Sequence, residues 1–69
     1  MYKIGDYVKI IDIFQPDYIR NKICKVKDKT NHIYPLFKCD LCGSWFAEHE
    51  LELATEHEVL LYLMNKAGG

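Results

Sequence analysis

No stretch of this 69-residue chain approaches the ~18 consecutive apolar residues needed to cross a bilayer. Met1-Tyr2-Lys3-Ile4-Gly5-Asp6 has none of the apolar core of a secretory signal. A soluble, cytoplasmic protein is therefore expected. Cysteine is scarce and odd in number: three residues cannot complete a disulfide framework, which points to a reducing compartment. A large excess of either charge is missing as well. The formal net charge of -1 argues against a uniformly basic DNA-binding domain. There is no internal repeat, no low-complexity tract and no linker, so a solenoid and a second domain are not expected. Nor is there a nucleophile motif, a phosphate-cradling glycine loop or an evident acid–base pair, so the chain is expected to bind and not to catalyse.

What remains is ordinary globular material, 49% hydrophobic and 28% charged, which excludes disorder. Residues 1–69 make one domain. A chain this short buries roughly 60% of the surface its unfolded form exposes. Such a core usually needs a staple, whether disulfide, metal or partner. The charge is unevenly spread, with seven Lys/Arg against four Asp/Glu in residues 1–35 and two against six in residues 36–69.

Residues 5–14 read as a strand, with Val8, Ile10 and Asp12 on one face and Tyr7, Lys9, Ile11 and Ile13 on the other. Pro16 ends it. Residues 22–29 make a second strand, Asn31-His32 a two-residue turn, and residues 33–39 a third strand. A fourth spans 44–47 and a short fifth 51–53, joined by one turn at Glu48-His49-Glu50. Thr55-Glu56-His57-Glu58 is a capping box. Val59, Leu60, Leu63, Met64 and Ala67 follow at helical spacing, so residues 55–66 are expected as a C-terminal helix, with a sixth strand as the rival. Trp45 and Phe46 are expected in the core. Leu61 and Tyr62 lie off the helix's main apolar face and are candidates for an exposed contact.

Five short strands in this order resemble an SH3-like barrel. The resemblance is carried by Ile4-Gly5-Asp6-Tyr7-Val8-Lys9-Ile10 at the front and by Trp45-Phe46-Ala47-Glu48-His49-Glu50-Leu51-Glu52-Leu53 at the back. It covers residues 4–54 and implies a mostly β, five-stranded SH3-like barrel with a C-terminal helix. It carries little about function.

Cys39-Asp40-Leu41-Cys42-Gly43 has the spacing of a zinc knuckle: two thiolates in a tight turn reach one ion. With a two-residue turn at Asn31-His32, Cys24 falls directly opposite Cys39, at a separation of about 4.5–5.5 Å that suits two ligands of one metal. A structural zinc on Cys24, Cys39 and Cys42 is therefore expected. For the fourth ligand His57 is favoured, because the fifth strand runs back toward the knuckle. His49 and Asp40 are the alternatives, while His32 lies ~20 Å away at strand rise. Two other readings stay open: Cys24 as a small buried hydrophobe, and Cys39/Cys42 as a redox pair, for which no βαβ pattern is present.

Two charged groups bear on partners. Arg20, Lys22, Lys25, Lys27 and Lys29, with Tyr18 and Tyr34 nearby, suit either a nucleic-acid groove or a charged strand that resists edge aggregation. Glu48, Glu50, Glu52, Glu56 and Glu58 suit a basic protein surface. In overall character, a short, acidic-tailed, cysteine-bearing SH3-like chain resembles the small proteins of phages, and among them a zinc-containing anti-CRISPR protein. That resemblance implies binding to a Cas9-type nuclease in the bacterial cytoplasm and a block of target-DNA loading or cleavage. A zinc-containing SH3-like nucleic-acid module is the alternative.

Overall fold

A computed structural model describes residues 2–41 and 43–68. Its elements are β1 (Tyr7–Ile10), β2 (Ile23–Lys29), β3 (Leu36–Cys39), β4 (Trp45–Ala47), a single 3-10 turn (Glu48–Glu50), β5 (Leu51–Leu53) and α1 (Glu56–Gly68). The fold is mostly β with one C-terminal helix, as expected. The strands form one antiparallel sheet in the order β4-β3-β2-β1-β5. Among the described residues no ladder joins β4 to β5, so the sheet is open and not a closed barrel. Both edge strands are only three residues long. Among the described residues no helix is long and apolar enough to cross a membrane.

Alternation builds the core. Val8 and Ile10 of β1, Cys24 and Val26 of β2, Phe37 and Cys39 of β3, Phe46 of β4 and Leu51 of β5 all face one side and are buried. Ile19 closes the cluster from the β1–β2 loop. The Tyr2 ring packs edge-on against Phe37 at 5.3 Å, and its hydroxyl donates to the Leu51 carbonyl. Phe46 is in the core, but Trp45 is 41% exposed beneath the Lys38 ammonium. Neighbours on a strand point to opposite faces, so the two rings cannot both be core.

β1 is shorter than its apolar run. After Ile10 the chain turns on Asp12, whose carboxylate accepts the Phe14 N–H, while the Ile11 N–H donates to the Glu50 carbonyl. β3 starts at Leu36 instead of residue 33, because Pro35 has no N–H for a ladder. The β2–β3 connection therefore spans residues 30–35 and is not a two-residue turn. It is closed by Thr30, whose N–H donates to the Leu36 carbonyl and whose hydroxyl accepts the Leu36 N–H. The longer loop moves the register: Val26, not Cys24, faces Cys39, and a bulge lies between Val26 and Asp28.

The capping box is formed: the Thr55 N–H donates to the Glu58 carboxylate and the Glu58 N–H to the Thr55 hydroxyl. α1 packs on the outer face of the sheet. Tyr62 meets Tyr7 at 5.7 Å and Glu58 pairs with Lys9 at 2.8 Å. The helix therefore turns Glu58, Val59 and Tyr62 inward and leaves Leu60, Leu63 and Met64 exposed. This reverses the expectation for Tyr62. The outer face of β1 and β2 offers Tyr7, Lys9 and Lys25, which match a tyrosine and a glutamate better than a leucine stripe.

With so few core side chains, each large one is decisive. Phe37→Ala should cost about 3–5 kcal/mol, comparable to the whole stability of a domain this size. A thermal melt followed by circular dichroism should show it largely unfolded at 25 °C, and a melt within a few degrees of the parent would contradict this core.

Candidate functional site

The β3–β4 turn and the strands behind it carry the first candidate. Cys24 and Cys39 both point into the core from adjacent strands. Although diagonal and not directly opposed, their sulfurs meet. The Cys24 contact holds the Cys39 thiol below its ordinary value, while burial and the Asp40 charge push the other way. Cys42 lies outside the described residues. Among the described residues no cluster of three or more His, Cys, Asp or Glu converges on a point.

The remaining candidate ligands are elsewhere. His57 is exposed in the first turn of α1, on the outer face of the sheet, whereas Cys24 and Cys39 are on the inner face. β5 does return to the level of Cys24, as expected, with Leu53 in register with Val8 and Val8 with Cys24. The helix that follows then crosses to the other side. His49 is in the 3-10 turn, near Asp12, and His32 is in the β2–β3 loop, its Nδ1 accepting the Tyr34 N–H.

Asp40 has a different task. One carboxylate oxygen accepts the Lys25 N–H at 3.0 Å, the other accepts the Tyr62 hydroxyl at 2.8 Å, and Lys66 stands 3.8 Å away. Burial would raise the Asp40 carboxyl, but these two donors, Lys66 and Lys27 together keep it below the usual range. Tyr62 is pushed up to about 12, by burial first and then by its bond to Asp40. Asp40 thus ties the Cys39 turn to the helix.

The five glutamates are unequally engaged. Glu50 caps its own turn by accepting the Ala47 N–H, and Glu58 is committed to Lys9 and Thr55. Glu48, Glu52 and Glu56 are exposed. The basic cluster is also divided: Arg20 pairs with Asp17, and Lys25 lies over Tyr7.

A second candidate surface was anticipated from the sequence only at Tyr34. Ile13 (70%), Phe14 (89%), Ile33 (82%) and Tyr34 (81%) are far more exposed than large apolar side chains usually are. Both loops flank the 3-10 turn. Ile11 is hydrogen-bonded to Glu50, and a hollow of ≈ 230 Å³ is lined by Ile33, Tyr34, Leu36, Glu48 and His49. The signal was present in Pro35, which closes the Ile33-Tyr34 pair, and in Asp12, whose carboxylate turns the chain ahead of Phe14. Comparison with family models, with curated proteins and with solved structures returns no match.

An ultraviolet titration should resolve Tyr62 as the most alkaline tyrosine. A raised folded-state value means that its contribution to stability is complete below the unfolded value near 10 and fades as pH rises through about 12. Tyr62→Phe should remove that last step and destabilise the domain by about 1 kcal/mol. An unchanged titration curve would refute the Asp40–Tyr62 bond.

Proposed function

We propose that the chain is a zinc-stapled protein-binding module on an SH3-like sheet, acting by association and not by catalysis. One observation carries it: the largely exposed apolar side chains Ile13 and Phe14 on one loop and Ile33 and Tyr34 on another, the second pair lining a hollow beside the 3-10 turn. Leaving such groups in water is costly unless a partner covers them. Glu48 lines the hollow, and Glu52 and Glu56 are exposed elsewhere on the domain, so a basic partner fits best. A nucleic-acid enzyme such as a Cas9-type nuclease has that character, and an inhibitor of one is the narrower form of the proposal. The antiparallel meander that returns β5 to β1 supports the SH3-like reading.

The contact between Cys24 and Cys39 supports the zinc staple. Two ligands of a tetrahedral zinc with Zn–S bonds near 2.3 Å stand about 3.8 Å apart, close to the spacing of thiols in contact. Cys42, three residues past Cys39, supplies the third sulfur in this proposal. With His57 on the other face and both Asp40 carboxylate oxygens engaged there, the fourth position falls to solvent or to a partner. Zinc would act by supplementing the small core.

A second reading, a single-stranded nucleic-acid module, is favoured by Trp45, an exposed ring with the Lys38 ammonium 5.8 Å from its centroid. A salt-sensitive gel shift of random single-stranded DNA, abolished by Trp45→Ala, would select it.

Protein purified without chelator should carry about one zinc per chain by elemental analysis. Cys39→Ser should lose the metal and melt lower, whereas His57→Ala should retain it. Metal-free parent protein with an unchanged melt removes zinc from the proposal. For the binding surface, Phe14→Ser with Tyr34→Ser should leave the fold intact and abolish inhibition of DNA cleavage by a Cas9-type nuclease–guide complex. Full cleavage with excess parent protein defeats the narrower form. If the parent and the double variant capture the same proteins from a bacterial lysate, the loop surface is not the binding site.

A further inference from the structure

Between α1 and the start of β2 runs a groove of ≈ 560 Å³, which shares no lining residue with the loop hollow. Its walls are chemically mixed. Asn21 and Lys22 come from the chain entering β2, and Asn65 and Lys66 from the helix, while Ile23 and Leu61 supply the apolar floor. Asn21 is held in the left-handed region (φ 64) and its N–H donates to the Ile10 carbonyl at 2.7 Å, so its place on the rim is fixed by the backbone.

The charges around the groove are unequal in availability. Glu58 also lines it, but is engaged by Lys9 at 2.8 Å and by the Thr55 N–H. Asp40, behind Tyr62, already accepts two hydrogen bonds. Lys22 has no ion-pair partner among the described residues, and Lys66, 3.8 Å from Asp40 and 5.6 Å from the Tyr62 ring centroid, still has 65% of its side chain exposed. Lys25 and Lys27 add positive charge nearby. Two ammonium groups and two carboxamides beside an apolar floor make a receptor for an oxyanion joined to an apolar or planar body, of the size such pockets take.

We propose that this groove binds a small ligand with an oxyanion head, phosphate or carboxylate, seated between Lys22 and Lys66, and an apolar body resting on Ile23 and Leu61. The site shares no lining residue with the loop surface or with the cysteines. The test is a titration of the isotope-labelled full chain, followed by amide resonances. Adenosine monophosphate is the phosphate probe and N-acetyl-leucine the carboxylate probe, with adenosine and N-acetyl-leucinamide as their neutral counterparts. The expected result is saturable shifts confined to residues 21–23 and 61–66 with at least one anionic probe, and which probe saturates identifies the head group. Lys22→Gln with Lys66→Gln, both on exposed side chains, should weaken that binding about tenfold or more while the rest of the spectrum is unchanged. Absence of saturable shifts with both probes, equal binding of a neutral counterpart, or undiminished binding to the double variant would overturn the proposal.

Discussion

Val8 stands in register with Cys24 on one side and Leu53 on the other, so β1 is hydrogen-bonded along both edges and every other element takes its place from it. Because the side-chain period of a strand is two, the choice that buries Val8 and Ile10 also decides which face of β2 and β5 is inward. Cys24, Val26 and Leu51 follow them into the core. Tyr7 and Lys9 are thereby turned out, and they become the seat of the helix. A slip of one residue in this strand would exchange the two faces and leave neither the core nor the helix contact standing.

The outer face is organised by one carboxylate. Asp40 joins the turn after β3 to β2 through the Lys25 N–H and to α1 through the Tyr62 hydroxyl. Few apolar side chains of the helix are covered, so its attachment rests on this bond, the Tyr7–Tyr62 contact and the Lys9–Glu58 pair. The same turn begins with Cys39, whose sulfur points the opposite way, to Cys24. The sheet therefore separates two chemistries, thiols within and a polar latch without. That separation keeps His57, a helix residue, away from the thiols.

The loops answer to a different constraint. The turn on Asp12 ends β1 before Ile13 and Phe14, and Pro35 withholds a backbone donor just after Ile33 and Tyr34, so all four project from loops instead of pairing in strands. The 3-10 turn between β4 and β5 gathers both loops along one side. Strands that hold apolar side chains out on loops are a common arrangement for recognition surfaces, which is the basis of the binding proposal.

Much of this was legible in the residues themselves, since it depends on local chemistry. The alternation of Val8 and Ile10, of Cys24 and Val26, and of Leu51 and Leu53 marks strands. The Thr55–Glu58 box marks the helix start, and the Cys39–Cys42 spacing marks the turn. Tertiary structure alone decided the rest. The β2–β3 register depends on a six-residue loop and a bulge, so that Val26 and not Cys24 opposes Cys39. The helix face depends on what the sheet offers, and Tyr7, Lys9 and Asp40 select Tyr62 and Glu58 over the leucine stripe. The fate of each glutamate depends on whether a neighbour such as Lys9 or the Ala47 N–H claims it. Periodicity and capping are properties of a few adjacent residues, so the sequence by itself determined the elements. Register and packing face join residues far apart in sequence, from Val26 and Cys39 to Tyr7 and Tyr62, and no short-range pattern encodes which of the possible partners will meet.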